Sequence, residues 1–260
     1  MARLPTLFVS HGSPLHALAG SDASRAWAAI ARDLPRPRAV LMVSAHWETS
    51  LPMLTGARQL QTLHDFGGFP DALYALRYDA PGDTELAQAA SALLKAAGQT
   101  AGIDGCRGID HGAWVPLRWM YPEADVPIVQ LSVQPQRGIA HHCHVGAALS
   151  GLRDDGVLIV GSGHVTHNLR DWMATMRQSQ PLAYVDAFAD WIAERLDAHD
   201  VDAIVDYRDR APAAARAHPT EEHFVPLPVA WAAAGNAPRV ERVHRGREGA
   251  ALAMDAYLFH

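Results

Sequence analysis

Four short apolar runs, separated by helix-like segments, restrict the fold of this chain more than any other feature. The runs are almost continuously apolar and are bounded by turn residues, which is typical of strands buried on both faces of a sheet. They cover residues 6–10, 39–45, 127–133 and 157–161. A final segment, 251–259, is expected to add an edge strand.

Segments with helical periodicity lie between these runs, and Asp83 is a candidate N-cap for the second of them. They cover residues 24–33, 84–97, 111–120, 138–153, 185–196 and 221–234. Strand and helix therefore alternate, which predicts an α/β fold with helices on both faces of the sheet. No repeat, low-complexity tract or long linker divides the 260 residues, so we predict a single domain over residues 1–260.

Composition argues against several classes of function. The formal net charge is −6 and the basic residues are scattered, so nucleic acid is not an expected partner. Two cysteines, Cys106 and Cys143, are too few for a disulfide framework, which predicts a reducing, cytoplasmic setting. No apolar stretch approaches the roughly 20 residues that span a bilayer, so no membrane association is expected.

The histidine content is high, with 15 histidines in 260 residues. His11 follows the first predicted strand, His46 ends the second, and His223 lies in a late His-Pro-Thr-Glu-Glu-His-Phe segment. Ligands of α/β sheets collect beyond the carboxyl ends of the strands, and imidazole is the commonest protein ligand for metals. We therefore expect these three residues to form a metal site at the strand ends.

The third ligand has an alternative. Glu222 competes with His223, because two histidines and one carboxylate form the facial triad of non-haem iron enzymes, whereas three histidines suit zinc or iron equally. Thr220 is expected to cap a helix starting at residue 221. Glutamates in the first turn of such a helix could instead only complement its dipole.

Two further histidines are candidates for proton transfer. His164 and His167 follow another strand in Gly-Ser-Gly-His-Val-Thr-His-Asn-Leu, and we expect one of them to point outward. His167 is the better candidate for a general base or an extra ligand. His111 begins a predicted helix and could donate to a bound oxygen species; the alternative is a packing histidine bonded to Asp110.

A shaped loop at residues 63–70 is rich in glycine and aromatic residues and could form a wall of an aromatic pocket, or merely cover the core. The predicted substrate-contacting residues are His64, Phe66, Phe69, Trp47, Trp114 and Ser13. A separate cluster, His141, His142 and His144, lies in a predicted amphipathic helix and is expected to be mostly solvated.

Six motifs follow one another between residues 7 and 227, in the order His-Gly-Ser-Pro, Ser-Ala-His-Trp, His-Asp-Phe-Gly-Gly-Phe-Pro, Asp-His-Gly-Ala-Trp, His-Asn-Leu and Pro-Thr-Glu-Glu-His-Phe-Val-Pro-Leu. Together they resemble the DODA-type extradiol aromatic ring-opening dioxygenases, in the class III superfamily of the protocatechuate 4,5-dioxygenase catalytic subunit. Six motifs in a fixed order are far more specific than any one of them.

The resemblance implies a central mixed sheet and one mononuclear divalent metal held by His11, His46 and His223. The wider superfamily has a glutamate as third ligand, and the DODA-type branch a histidine. His167 matches the catalytic base, and His111 matches a second acid or substrate-orienting residue. The implied reaction inserts both atoms of O2 into a small catechol, with Fe(II) for activity and Zn(II) in purified protein. A homo-oligomer is possible.

Two rival functions use the same residues. A zinc hydrolase would activate a bound water with the same histidines. A non-enzymatic, Memo-like metal-binding protein would need the ligands but not the acid and base positions of His111 and His167. Motifs for other chemistries, such as a Gly-x-Ser-x-Gly elbow, a phosphate-binding loop or a dinucleotide fingerprint, are missing from the sequence.

Overall fold

The computed structural model describes residues 3–178 and 180–260. Ten strands lie in this part of the chain: β1 Thr6–Ser10, β2 Ala39–Glu48, β3 Met53–Thr55, β4 Gly102–Asp104, β5 Ile128–Val133, β6 Val157–Gly163, β7 Val240–His244, β8 Arg247–Glu248, β9 Leu252–Ala253 and β10 Ala256–Phe259. The four apolar runs are all strands, which confirms their prediction. β2 and β6 extend further than predicted.

Eight of these strands form one mixed sheet in the order β4-β3-β5-β2-β6-β1-β10-β7. Its centre, β5-β2-β6-β1, is parallel, whereas β3 pairs antiparallel with β5 and β10 pairs antiparallel with β1. The predicted edge position of segment 251–259 is wrong, because β10 lies between β1 and β7. The edge strand at this end of the sheet is β7, with the sequence Val-Glu-Arg-Val-His, whose polar side chains suit an edge.

Within the described residues, eleven α-helices accompany the sheet: α1 Asp22–Asp33, α2 Asp71–Tyr74, α3 Thr84–Ala96, α4 His111–Met120, α5 Gly138–Leu149, α6 Leu169–Ala174, α7 Ala183–Asp197, α8 Val201–Val205, α9 Tyr207–Arg210, α10 Ala214–Ala217 and α11 Pro226–Ala233. Asp83 caps α3 as predicted, accepting a 2.8 Å hydrogen bond from the backbone N–H of Leu86. No helix in the described part of the chain has both the length and the apolar character to span a membrane.

Both faces of the sheet are covered, which explains why its strands are continuously apolar. Leu41 and Val43 point into one core with the side chains of α3, α5, α7 and α11. Val40 and Met42 point into a second core with those of α1 and α4. The α/β class and the helix-flanked mixed sheet are therefore confirmed.

Two local predictions are wrong. The helix predicted for 221–234 begins only at Pro226, since proline lacks the N–H that would continue a preceding helix and is favoured at the first helical position. His141 and His142 are buried rather than solvated, and only His144 is exposed. His142 accepts a hydrogen bond from the Gln134 backbone N–H, and His141 bonds to the Gln134 side chain.

Candidate active site

The first two predicted ligands come from the ends of β1 and β2, which lie on either side of β6. His11 directly follows β1, and its backbone N–H donates to the carbonyl of Gly163 at the end of β6. His46 was predicted to end its strand, but β2 continues to Glu48. The pairing of β2 with β5 shifts register between Val43 and Glu48, so His46 lies in an irregular stretch. Such irregularities redirect side chains next to functional sites.

The three predicted metal ligands converge. His46 Nε2 lies 3.0 Å from His11 Nε2 and 3.2 Å from His223 Nε2. One ligand atom from each ring falls within 4.8 Å of the other two. Residues separated by up to 212 positions in the chain, 223 minus 11, thus present imidazole nitrogens to one point.

The proton position on His11 follows from its partners. The Ser162 hydroxyl donates to the carbonyl of Gly112, so it must accept the 3.0 Å hydrogen bond from His11 Nδ1. The proton of His11 therefore lies on Nδ1. Its Nε2 has a free lone pair directed at the convergence point.

The same reasoning applies to His223. Its Nδ1 lies 2.9 Å from Glu222 Oε1, and an ionised carboxylate only accepts hydrogen bonds. Thr220 does not cap a helix; its hydroxyl donates to the same carboxylate oxygen at 3.0 Å. Glu222 therefore holds the outer side of the His223 ring, an arrangement that metal-bound histidines commonly share.

The imidazole cluster has the donor set of a metal site. Burial lowers the pKa of His11, His46 and His223 well below the ordinary value, and the neighbouring imidazoles lower each pKa further. Each neutral ring carries a single N–H, and in His11 and His223 it is on Nδ1. The Nε2 atoms that converge therefore face one another largely with lone pairs, which repel. A cation removes that repulsion, and separations of 3.0 and 3.2 Å are spanned by two metal–nitrogen bonds of about 2.1 Å.

His111 is oriented by Asp65 rather than by Asp110. Its Nδ1 lies 3.0 Å from both oxygens of Asp65, and its backbone N–H donates to the same carboxylate at 2.9 Å. Burial raises the pKa of Asp65, but the hydrogen bonds and charge of His111 and the charge of His46 lower it to about 2. The carboxylate thus fixes the His111 proton on Nδ1 and leaves Nε2 for the cavity.

His167 and His164 both face the cluster, so the expectation that one points outward is wrong. The His167 ring stacks on His223, with ring centroids 3.4 Å apart. Burial lowers the pKa of His167 to about 4, so the ring is neutral and can accept a proton at neutral pH. His164 Nε2 accepts a 3.0 Å hydrogen bond from the Gly12 backbone N–H, which positions the turn after His11.

A cavity of about 340 Å³ opens onto this cluster, a size typical of sites for small ligands. Of the predicted substrate contacts, Ser13, Phe66 and Phe69 line it. The full lining is His11, Gly12, Ser13, Pro14, His46, Phe66, Phe69, His111, His164, His167, Leu169, Trp172, His223, Glu248 and Leu252. All the predicted metal and acid–base histidines are in this set.

Three predicted substrate contacts lie outside the cavity lining. Trp114 is fully buried and donates to the Leu63 carbonyl at 2.9 Å, which supports the 63–70 loop from below. His64 Nε2 lies 3.1 Å from the Leu76 carbonyl, and Trp47 packs under the Arg107 guanidinium. None of the three lines the cavity.

Some cavity residues carried no recognisable signal in the sequence. Trp172, Glu248 and Leu252 lie outside the six motifs, and Leu169 ends the His-Asn-Leu motif without any chemistry that would mark it as a cavity residue. Asp65 did have a signal, because it stands inside the His-Asp-Phe-Gly-Gly-Phe-Pro motif. A carboxylate in that motif is a natural hydrogen-bond partner for a histidine at the start of a helix, which is the position of His111.

The model of the catalytic LigB subunit of aromatic ring-opening dioxygenase matches residues 5–256. The chain belongs to this family. As a LigB-family protein it is an oxidoreductase of the extradiol, aromatic ring-opening type, so the resemblance carried by the six motifs is confirmed. Family membership favours an oxidoreductase over the Memo-like, non-enzymatic alternative and over a hydrolase.

Relatives of this LigB-family chain have names that specify a substrate. A Beta vulgaris protein is 40% identical over 98% of this chain and 96% of its own length, and an Escherichia coli K12 protein is 39% identical over 86% and 83%. Both are named 4,5-DOPA dioxygenase extradiol. A crystal structure of an uncharacterized E. coli K12 protein, 32% identical, superposes with a TM-score of 0.83 over 99% of this chain and all of that one.

Proposed function

We propose that this protein inserts both atoms of O2 into a DOPA-like catechol at one divalent metal ion held by His11, His46 and His223. The convergence of three neutral imidazoles at the floor of a cavity is the observation that carries the proposal. Fe(II) is the metal for activity. Zinc binds such nitrogen sites more tightly than ferrous iron, so purified protein is expected to contain zinc.

When bound, the metal supplies Lewis acidity for the two catechol hydroxyls and a meeting point for catechol and dioxygen. The chain supplies the rest. Ser162 and Glu222 fix the tautomers of His11 and His223, so that both rings present Nε2 without reorganisation. Because the ligands are already neutral in the folded chain, no proton has to leave them when metal enters.

His167 is the proposed general base. It is neutral at working pH, lines the cavity and lies against a ligand ring, so it can accept the proton of a catechol hydroxyl. His111 is the proposed acid and orienting group. With Nδ1 held by Asp65, its Nε2 faces the cavity, where it can take up a proton and pass it to an oxygen atom of the reacting pair.

The rest of the cavity suits one aromatic ring. Phe66 and Phe69 contact each other edge to face, with ring centroids 5.3 Å apart, and form an apolar wall next to His111. Such a wall orients a flat ring and keeps bulk water from the reacting atoms. Cleavage next to one hydroxyl breaks one ring carbon–carbon bond and leaves an aldehyde at one end and a carboxylate at the other.

Anaerobic loading with Fe(II), followed by measurement of O2 uptake with a panel of catechols, tests the proposal. The panel should contain L-DOPA, 4-methylcatechol, caffeate and protocatechuate. One O2 consumed per catechol, with loss of the aromatic ring absorption, is the expected result. Ester or amide hydrolysis by the zinc-loaded protein, with no O2 uptake by the iron-loaded protein, would instead establish the hydrolase.

A further inference from the structure

The cavity has one acidic residue in its lining and no lysine or arginine, within residues 3–178 and 180–260. The lining histidines belong to the candidate metal site or face it, and the other lining residues are apolar or small. Glu248 is therefore the charged group that a substrate side chain meets away from the metal ligands. This distribution is asymmetric, since it offers a partner to a cation and none to an anion.

Glu248 is held in a fixed position. Its Oε2 accepts hydrogen bonds from the backbone N–H of Ser13 and from His16 Nε2, both at 3.0 Å. Ser13 is two residues from His11, so the carboxylate is tied to the turn that follows the first metal ligand. The side chain keeps 20% of its surface exposed, and Oε1 has no hydrogen-bond partner in the described part of the chain.

The neighbouring arginines are engaged elsewhere. Arg247 pairs with Asp186, and Arg245 Nη2 lies 2.9 Å from Asp190. Neither lines the cavity. Their positive charge is therefore directed at the helix α7 carboxylates, and Glu248 keeps its negative charge for the cavity.

Trp172 lines the same cavity and packs against the residue that follows Glu248. Gly249 has a φ of +61°, and a Cβ added there would come within 3.0 Å of the Trp172 indole nitrogen. The indole therefore lies against residue 249 and lines the same cavity as the Glu248 carboxylate. An aromatic ring beside a carboxylate is a favourable environment for an ammonium group.

We propose that Glu248, assisted by Trp172, binds the ammonium group of an amine-bearing catechol and so determines which catechols this enzyme accepts. The inference rests on the proposed function and deepens it by naming the substrate class. A catechol whose side chain ends in a carboxylate meets Glu248 with like charge and has no cationic partner. In a catechol amino acid such as L-DOPA, the carboxylate contributes little to binding. The corresponding amine without the carboxylate, dopamine, is therefore an equally good substrate.

Three catechols with side chains of similar size test this: dopamine, L-DOPA and 3-(3,4-dihydroxyphenyl)propionate, with 4-methylcatechol as the uncharged reference. For the Fe(II)-loaded enzyme, kcat/KM for dopamine and L-DOPA should exceed that for the propionate at least tenfold. In Glu248→Gln, the ratio of kcat/KM for dopamine to that for 4-methylcatechol should fall at least tenfold. The glutamine oxygen can still accept from Ser13 and His16, so the turn is retained.

Glu241→Gln, on the edge strand β7, is the matched control and should keep the wild-type ratio. The proposal is overturned if wild-type enzyme prefers the propionate, or if Glu248→Gln lowers kcat/KM for all four catechols equally. We would also measure the dissociation constants of the same catechols anaerobically with zinc-loaded protein. These values compare the binding of amine-bearing and other catechols in the absence of turnover. Preferential binding of amines there, with no ring cleavage by iron-loaded protein, would support this inference and contradict the proposed function.

Discussion

The His167 ring stacks on the His223 ring, with planes inclined by 12° and centroids 3.4 Å apart. A candidate base thus lies directly against a candidate metal ligand. His167 Nδ1 is also 4.0 Å from Glu222, the carboxylate that holds His223. Removing His167 therefore affects both proton transfer and the support of a ligand, and the two effects have to be separated.

We expect His167→Ala to lower kcat by about 10²–10⁴-fold, the usual contribution of a positioned general base, while metal content stays near wild type. His167→Phe is the companion variant, because its flat ring can maintain the stack on His223 but cannot accept a proton. Metal content is measured by elemental analysis and kcat by O2 uptake. Loss of metal from both variants would reassign His167 as a ligand.

Asp65→Asn should lower kcat about tenfold or more without releasing the metal. Asparagine can still accept one hydrogen bond from His111, but it cannot balance a positive charge on that ring. The basic limb of the pH profile of kcat should therefore move to lower pH, a change that a purely structural role would not produce. Asp71→Asn, on the exposed start of α2, is the control. An unchanged pH profile in Asp65→Asn would contradict the positioning role.

Removal of the metal should destabilise the folded chain. A ligand present at 100 times its dissociation constant adds about 2.7 kcal/mol to the free energy of unfolding. For a chain of this size that corresponds to a rise in Tm of roughly 5–10 °C. Thermal unfolding with and without a chelator measures it. In His46→Ala the chelator should have no effect on Tm; an equal shift there would place the metal elsewhere.

Acid should destabilise the protein through the buried histidines of α5. Burial lowers the pKa of His142 to about 3, whereas an unfolded histidine has a pKa of about 6.5. Between these values the unfolded chain binds a proton that the folded chain excludes, so the free energy of unfolding falls as pH falls from 6.5.

Urea unfolding at several pH values measures that slope. In His142→Gln the slope should decrease by up to about 1.4 kcal/mol per pH unit in this range. His144→Gln removes an exposed histidine from the same helix and is the control. If both variants show the same slope of unfolding free energy against pH, the burial of His142 is not the cause of the acid destabilisation.

The central strands could be predicted because each is long and apolar enough to give a signal by itself. β3 and β4, with three residues each, exist mainly through pairing with their neighbours, which a local pattern does not reveal. The burial of His141 and His142 was missed for a related reason. Helix α5 packs between α3, α8 and α11, and its exposed face carries Ala140, His144 and Ala147 rather than His141 and His142.

The candidate metal ligands were predictable because they combine a strand end with a residue type of restricted chemistry. The residues of the cavity wall could not be predicted in this way. Aromatic composition suggested Trp47 and Trp114 as well as Phe66, but only packing decides which rings reach the cavity and which support it from behind. Glu248 and Trp172 reach the same cavity from β8 and α6, and nothing local to either residue indicates that shared position.

Titration of Fe(II) into metal-free protein under anaerobic conditions, with O2 uptake measured at each point, tests the three-histidine centre most directly. Activity with a catechol should rise linearly and stop at one iron per chain, and His11→Ala, His46→Ala and His223→Ala should each remove the rise. Activity that does not depend on iron, or that saturates normally in any of these variants, would contradict the account.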